Sequence, residues 1–135
     1  VLLRIAPSSG GVVEHPDGKV FGAYTSISGL VMLAFVDSET LSAIRLEYPF
    51  SEYGSRVWKS YEAMEVFLEY VRLRGYGVAP FEGDRGILRL AAPVRGADGA
   101  FRGVLGLSSR ESTDTSEQEK LVAEALLSAV GDFNH

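Results

Sequence analysis

Few side chains in this sequence are equipped to make or break bonds. There is no cysteine, which removes thiolate nucleophiles, thiolate metal sites and disulfides together. The two histidines, His15 and His135, stand far apart in the chain, and neither is placed to serve a serine nucleophile. Ser26-Ile27-Ser28-Gly29 lacks the first glycine of a nucleophile elbow. No glycine-rich phosphate loop is present: Gly96-Ala97-Asp98-Gly99 has the glycines of a turn and lies inside a hairpin rather than before a helix. Glu82 and Asp84 are paired acids on a glycine-rich loop; carboxylates so placed could act as acid and base, although acids on loops are usually only solvated. The inventory favours binding over catalysis: the chain is expected not to be an enzyme, to need no cofactor and to hold no metal.

The polar candidates depend on the elements that carry them. Val1 to Ile5 reads as a strand ended by Pro7-Ser8-Ser9-Gly10-Gly11. Val12-Val13 and Lys19-Val20-Phe21 flank a Pro16-Asp17-Gly18 turn and read as short strands of one hairpin. Ser26 or Ser28 is a candidate N-cap for a helix through Leu30, Val31, Leu33, Ala34 and Phe35, apolar nearly all round and therefore buried. Asp37-Ser38-Glu39 opens a second helix through Leu41, Ile44 and Leu46, and Tyr48 to Trp58 reads as loop. Ser60 caps a long helix whose stripe is Ala63, Phe67, Tyr70 and Val71, with Met64 and Val66 beside it, and Gly75 is its C-cap glycine. Ile87 to Val94 and Val104 to Ser108 are strands joined at Ala97-Asp98-Gly99. A capping box at Thr115-Ser116-Glu117-Gln118 begins the last helix, with the stripe Leu121, Val122, Ala125, Leu126, Ala129 and Val130. The order predicts an α+β fold, a mostly antiparallel sheet with helices packed on its faces.

The bulk numbers agree. The 135 residues suffice for one core, and 46% hydrophobic against 23% charged residues is ordinary globular composition. A net charge of −5 argues against a phosphate-gripping surface on this segment. The longest apolar stretch, Gly29 to Val36, is too short to cross a bilayer. No signal peptide is visible, and the opening on Val1-Leu2-Leu3 in mid-strand reads as a piece of a longer, cytoplasmic protein.

Two blocks carry a resemblance. Ala23-Tyr24-Thr25-Ser26-Ile27-Ser28-Gly29-Leu30-Val31-Met32-Leu33-Ala34-Phe35 is one; Arg74-Gly75-Tyr76-Gly77-Val78 followed by Leu90-Ala91-Ala92-Pro93-Val94-Arg95-Gly96-Ala97-Asp98-Gly99 is the other. Together they resemble the C-terminal effector-binding domain of the IclR family of bacterial transcription regulators, over nearly the whole chain. The resemblance implies a GAF-like twisted sheet, with residues 1–135 forming the effector-binding domain and a winged helix-turn-helix, which lies N-terminal in the family, outside this chain. It implies a small effector, an organic or aromatic acid, in a cavity beside the sheet. It also implies a homodimer or tetramer that represses or activates, reaching DNA only through the other domain and involving no membrane. Carried over residue by residue, Ser26, Ile27 and Ser28 would offer backbone N–H groups to the effector, since a helix N-terminus suits an anion. Ile87, Arg89, Gly106 and Ser108 would line the cavity from the hairpin strands, Phe21 and Val13 would form an apolar wall, and Ala79 falls where many members carry an acid.

Departures from the family pattern matter. Leu30 replaces a lysine, and in Gly86-Ile87-Leu88-Arg89 the arginine is displaced by one position. One step along a strand turns a side chain to the other face, so Arg89 is expected on the cavity face with Ile87 and Ala91. Gly106 stands where some members have serine. Two roles stay open for Arg89, pairing with an effector carboxylate or with Asp84 or Glu82 at a strand end. Ser26 and Ser28 are either effector ligands or simple caps, and Ser108 is either a cavity hydroxyl or a strand-end serine facing water. The alternative function is a generic GAF-type sensor of a signalling protein; a pure dimerisation module with a filled cavity also fits.

Overall fold

A helix with no polar side must be enclosed on every side, and residues 27–35 impose that condition on the rest of the chain. The computed structural model describes residues 2–7, 22–80, 86–110 and 115–133. Within it, Ile27–Phe35 form helix α1, with every residue buried except Ser28 and Phe35. Leu30 and Val31 have no exposed surface at all. One side of α1 is closed by a sheet and another by the long helix α4, Tyr61–Arg74.

The sheet holds β1 (Leu2–Pro7), β2 (Gly77–Val78), β3 (Ile87–Arg95) and β4 (Phe101–Arg110), in the order β1-β4-β3-β2, and every neighbouring pair is antiparallel. The β3–β4 connection is the expected Asp-Gly hairpin. Asp98 accepts from the Ala100 N–H at 3.0 Å, Gly96 N–H donates to the Ala100 carbonyl at 2.9 Å, and Gly99 takes φ 81°, a conformation that favours glycine.

Strand alternation sorts the core into two clusters, one on each face of the sheet. Ala91 and Val104 face α1 and α4, where they join Leu30, Leu33, Met64, Leu68 and Val71. Leu88, Leu90, Ala92, Leu105 and Leu107 face the last helix, α5 (Thr115–Phe133), and meet its Ala123, Leu126 and Val130. The result is α+β with helices on both faces of an antiparallel sheet, as expected.

Local signals fix the helix ends. Asp37 caps α2 (Ser38–Glu47) by accepting from Thr40 N–H at 2.7 Å, and Ser60 caps α4 by accepting from Ala63 N–H at 3.1 Å. Gly75 closes α4 in the left-handed conformation, φ 83°. Gln118, in the first turn of α5, donates to Ser109 Oγ at 2.9 Å and to the Arg110 carbonyl. It therefore ties the helix to the end of β4.

Four expectations are corrected or supplemented. The inward stripe of α4 is Met64, Leu68 and Val71; Tyr70 is 59% exposed, with the Arg74 guanidinium 5.1 Å from its ring centroid. On α5 the inward stripe includes Ala123, while Leu121 and Ala125 face outward. Both helices carry more apolar residues than one face can bury, so the partner surface decides the rotation. The stretch read as loop from Tyr48 contains a short helix, α3 (Phe50–Tyr53), which starts directly after Pro49. The two-residue β2 was too short to leave a periodic signal. The expected strands at Val12-Val13 and Lys19-Val20-Phe21 lie outside the described residues.

Leu126 is fully buried and Leu121 is more than half exposed. In urea denaturation, Leu126→Ala is expected to lose about 2–5 kcal/mol, and Leu121→Ala to stay within about 0.5 kcal/mol of the parent. Equal losses would mean that α5 is rotated from the orientation described.

Candidate functional site

The start of α1 is built by a turn whose backbone leaves little freedom. Ser26 Oγ accepts from the Gly29 N–H at 3.0 Å and donates to the Gly22 carbonyl at 2.9 Å. The same carbonyl accepts from the N–H groups of Ser26, at 2.9 Å, and Thr25, at 3.2 Å. Gly29 is required for this packing: a Cβ there would lie 2.6 Å from both Ala23 Cα and the Gly22 carbonyl oxygen, and neither is a side chain that can swing away. The Ser26 hydroxyl is therefore committed as a cap. The Ile27 and Ser28 N–H groups belong to the first helical turn, where no intrahelical acceptor exists, and they donate to no acceptor among the described residues.

Ile27 anchors this end to the sheet. Its Cδ1 lies where a Cβ on Gly77 would come within 2.7 Å. Gly77 pairs with Ala91, and Ala91 pairs with Gly106, so three small residues form one row, and at Gly77 the helix approaches closely. The next row on the same face is Ala79, Arg89 and Ser108. Ala79 N–H donates to the Arg89 carbonyl at 2.9 Å, and Arg89 pairs with Ser108. Two residues along a strand amount to about 7 Å, so the Arg89 row lies one short step from the row beneath Ile27.

The alternation places Arg89 on the face of Ala91, as the displacement in sequence implied, with a half-buried side chain. Ile87 is further along that face, 37% exposed and opposite Arg110. The structure thus brings Ile27, Ala79, Ile87, Arg89, Gly106 and Ser108 to one face, beside the first turn of α1 that holds Ser28. Phe21 and Val13, the expected apolar wall, lie outside the described residues, as do Glu82, Asp84, His15 and His135. Among the described residues, no cluster of three or more His, Cys, Asp or Glu could hold a metal ion, and no helix is long and apolar enough to cross a membrane.

Sequence reasoning missed what holds the turn from behind. Tyr24 is 2% exposed; its hydroxyl donates to the Tyr48 carbonyl, and its own carbonyl accepts from Trp58 Nε1–H at 2.7 Å. Its ring stands edge-on to Phe50, with centroids 5.6 Å apart, and Phe50 stands edge-on to Tyr61 at 5.3 Å. Partners 24 and 34 residues away leave no local periodicity; the only hint was the density of aromatic residues from Tyr48 to Tyr61. Burial raises the Tyr24 pKa above 10.0, partly opposed by the positive charge of Arg45.

A family model described as "Bacterial transcriptional regulator IclR C-terminal" matches residues 2–135. No curated protein matches the chain in sequence. Among solved structures, the C-terminal domain of the Escherichia coli transcriptional regulator KdgR is 21% identical, with a TM-score of 0.75 over 98% of this chain and 84% of that one. The Agobacterium tumefaciens repressor BlcR is 20% identical, with a TM-score of 0.69 over 97% of this chain, which spans only 57% of BlcR. A double mutant of the Acinetobacter PobR inducer-binding domain, in complex with 3-hydroxybenzoic acid, is 17% identical, with a TM-score of 0.66 over 98% and 87% of the two chains.

Two measurements check the turn. Gly29→Ala adds a good helix former, yet it is expected to lose about 1–3 kcal/mol in urea denaturation because the new methyl meets backbone; an unchanged midpoint would refute the close approach. For Tyr24, a folded pKa above the unfolded value means that its contribution is whole below pH 10 and is lost as pH rises through the folded pKa. Tyr24→Phe is expected to flatten the fall in stability above pH 10 relative to the parent.

Proposed function

The chain belongs to the IclR C-terminal family of bacterial transcriptional regulators, and on that premise we propose that it senses a small organic or aromatic acid held between the first turn of α1 and the Arg89 row of the sheet. Domains of this family are regulatory effector-binding domains, not enzymes, so the site's task is discrimination and signalling. The observation that carries the reading is the shared face: a half-buried arginine and a serine hydroxyl lie one row from the start of a buried helix whose first N–H groups have no acceptor among the described residues.

Each element has a distinct role in this reading. Arg89 supplies a guanidinium that pairs with a carboxylate through two parallel hydrogen bonds. The Ile27 and Ser28 N–H groups add donors at the positive end of the helix dipole. Ser108 adds a hydroxyl beside Arg89, and Gly106 and Ala79 leave room over the sheet. Ile87 supports the apolar part of the ligand. The 3-hydroxybenzoic acid bound by the PobR inducer-binding domain is of the same chemical class. We further propose that residues 1–135 are the effector-binding half of a longer regulator, following a winged helix-turn-helix. That protein works in the bacterial cytoplasm as a homodimer or tetramer, and acid binding here alters how the other domain sits on DNA.

A thermal-shift panel of small organic and aromatic acids tests the site, with Arg89→Ala alongside. An acid present at about 100 times its Kd should add about 2.7 kcal/mol of stability. The expected result is a raised melting temperature for the parent and none for Arg89→Ala. A shift that survives the substitution removes Arg89 as the anchor. A panel with no shift at all leaves a dimerisation module, to be read by sedimentation.

A further inference from the structure

An indole is among the groups that hold the turn before α1 from behind. Trp58 lies in the connection between α3 and α4, and its Nε1–H reaches 2.7 Å to the carbonyl of Tyr24, two residues before the cap of α1. Its ring lies against Phe67 of α4, with centroids 5.5 Å apart and planes inclined at 48°. The indole is thus fixed by its ring on one element and donates its single N–H to another. Beyond Tyr24, the turn has little slack: Ser26 is bonded both to Gly22 and to Gly29, and Gly29 meets Ala23 without room for a methyl group. A displacement of the Tyr24 carbonyl therefore passes to the Ile27 and Ser28 N–H groups.

We propose that Trp58 is a positioning residue for the anion site: by holding the Tyr24 carbonyl, it fixes the direction of the Ile27 and Ser28 N–H groups. This rests on the effector site proposed above. Trp58 would touch no ligand. It would set the affinity for the charged end of a ligand and leave the apolar contacts on the sheet unchanged.

Trp58→Phe keeps an aromatic ring against Phe67 and removes the N–H. In the ligand-free chain, amide exchange at Ser26, Gly29 and Leu30, whose N–H groups are bonded within this turn, is expected to quicken at least tenfold, as read by NMR. Exchange at Leu126 on α5 should not change. Binding of benzoate and of uncharged benzamide is then measured by titration calorimetry, with benzoate expected to lose about tenfold in affinity and benzamide to lose nothing. Unchanged exchange at the three amides overturns the proposal. Equal losses for benzoate and benzamide overturn it too, because they mark Trp58 as general scaffold. If exchange quickens but the parent binds neither probe, the proposal falls together with the anion site beneath it. That failure differs from the first by its faster exchange.

Discussion

Enclosure of α1 is the constraint on which the other elements depend. A nine-residue helix without a polar face has no stability in water alone, and every element near it can be read as a wall or a clamp. The sheet supplies a floor of small residues, α4 supplies a side, and a side chain answers one backbone group at each helix end. Ser26 closes the first turn. At the other end Arg72 of α4 donates through Nε to the Ala34 carbonyl at 2.8 Å, answering an acceptor that the helix cannot satisfy internally. A helix fixed at both ends and buried between is a rigid mount, and rigid mounts hold binding groups more accurately than loops do.

Half-buried rings in edge-on contact, more than charge pairs, stabilise the segment from Tyr48 to Phe67. Edge-on aromatic pairs contribute about 0.5–1.5 kcal/mol each beyond their burial, and Tyr24–Phe50, Phe50–Tyr61 and Tyr48–Tyr53 have that geometry. The nearby ion pairs, Arg45–Glu65 at 3.5 Å and Arg72–Glu69 at 3.0 Å, are partly exposed, and such pairs contribute about 0–1 kcal/mol. Tyr61 links the two systems: its hydroxyl donates to Glu65 at 2.9 Å, and the Arg45 guanidinium lies 4.8 Å from its ring centroid.

The sequence was informative wherever the physics is local. Caps are decided within four residues, so Ser60 and Gly75 were legible, and Ser26 was one of two candidates. Strand parity is decided by alternation, so the face of Arg89 followed from its distance to Ala91 once the strand was recognised. Rotation of an amphipathic helix is not local: Tyr70 and Leu121 fit apolar stripes as well as the residues that are buried, and only the opposing surface distinguishes them. The Trp58–Tyr24 bond was beyond reach, because a single N–H on a residue in an irregular segment does not announce which of many carbonyls it will meet. The family resemblance, resting on the Ala23–Phe35 block and on the block that ends in Ala91-Ala92-Pro93-Val94 and Asp98-Gly99, supplied the expectation of a site that composition alone could not.

The division of the core by the sheet has a consequence for how such a protein can change. Among the described residues, no buried residue is shared between the cluster under α1 and the cluster under α5, and substitutions without common partners usually add in their effects. Descendants of this sequence can thus vary the side chains on one face while the stability that tolerates those trials accumulates on the other. A gene under selection on the α1 face inherits, in α5 and the side chains it covers, a reserve that lies across the sheet from those trials.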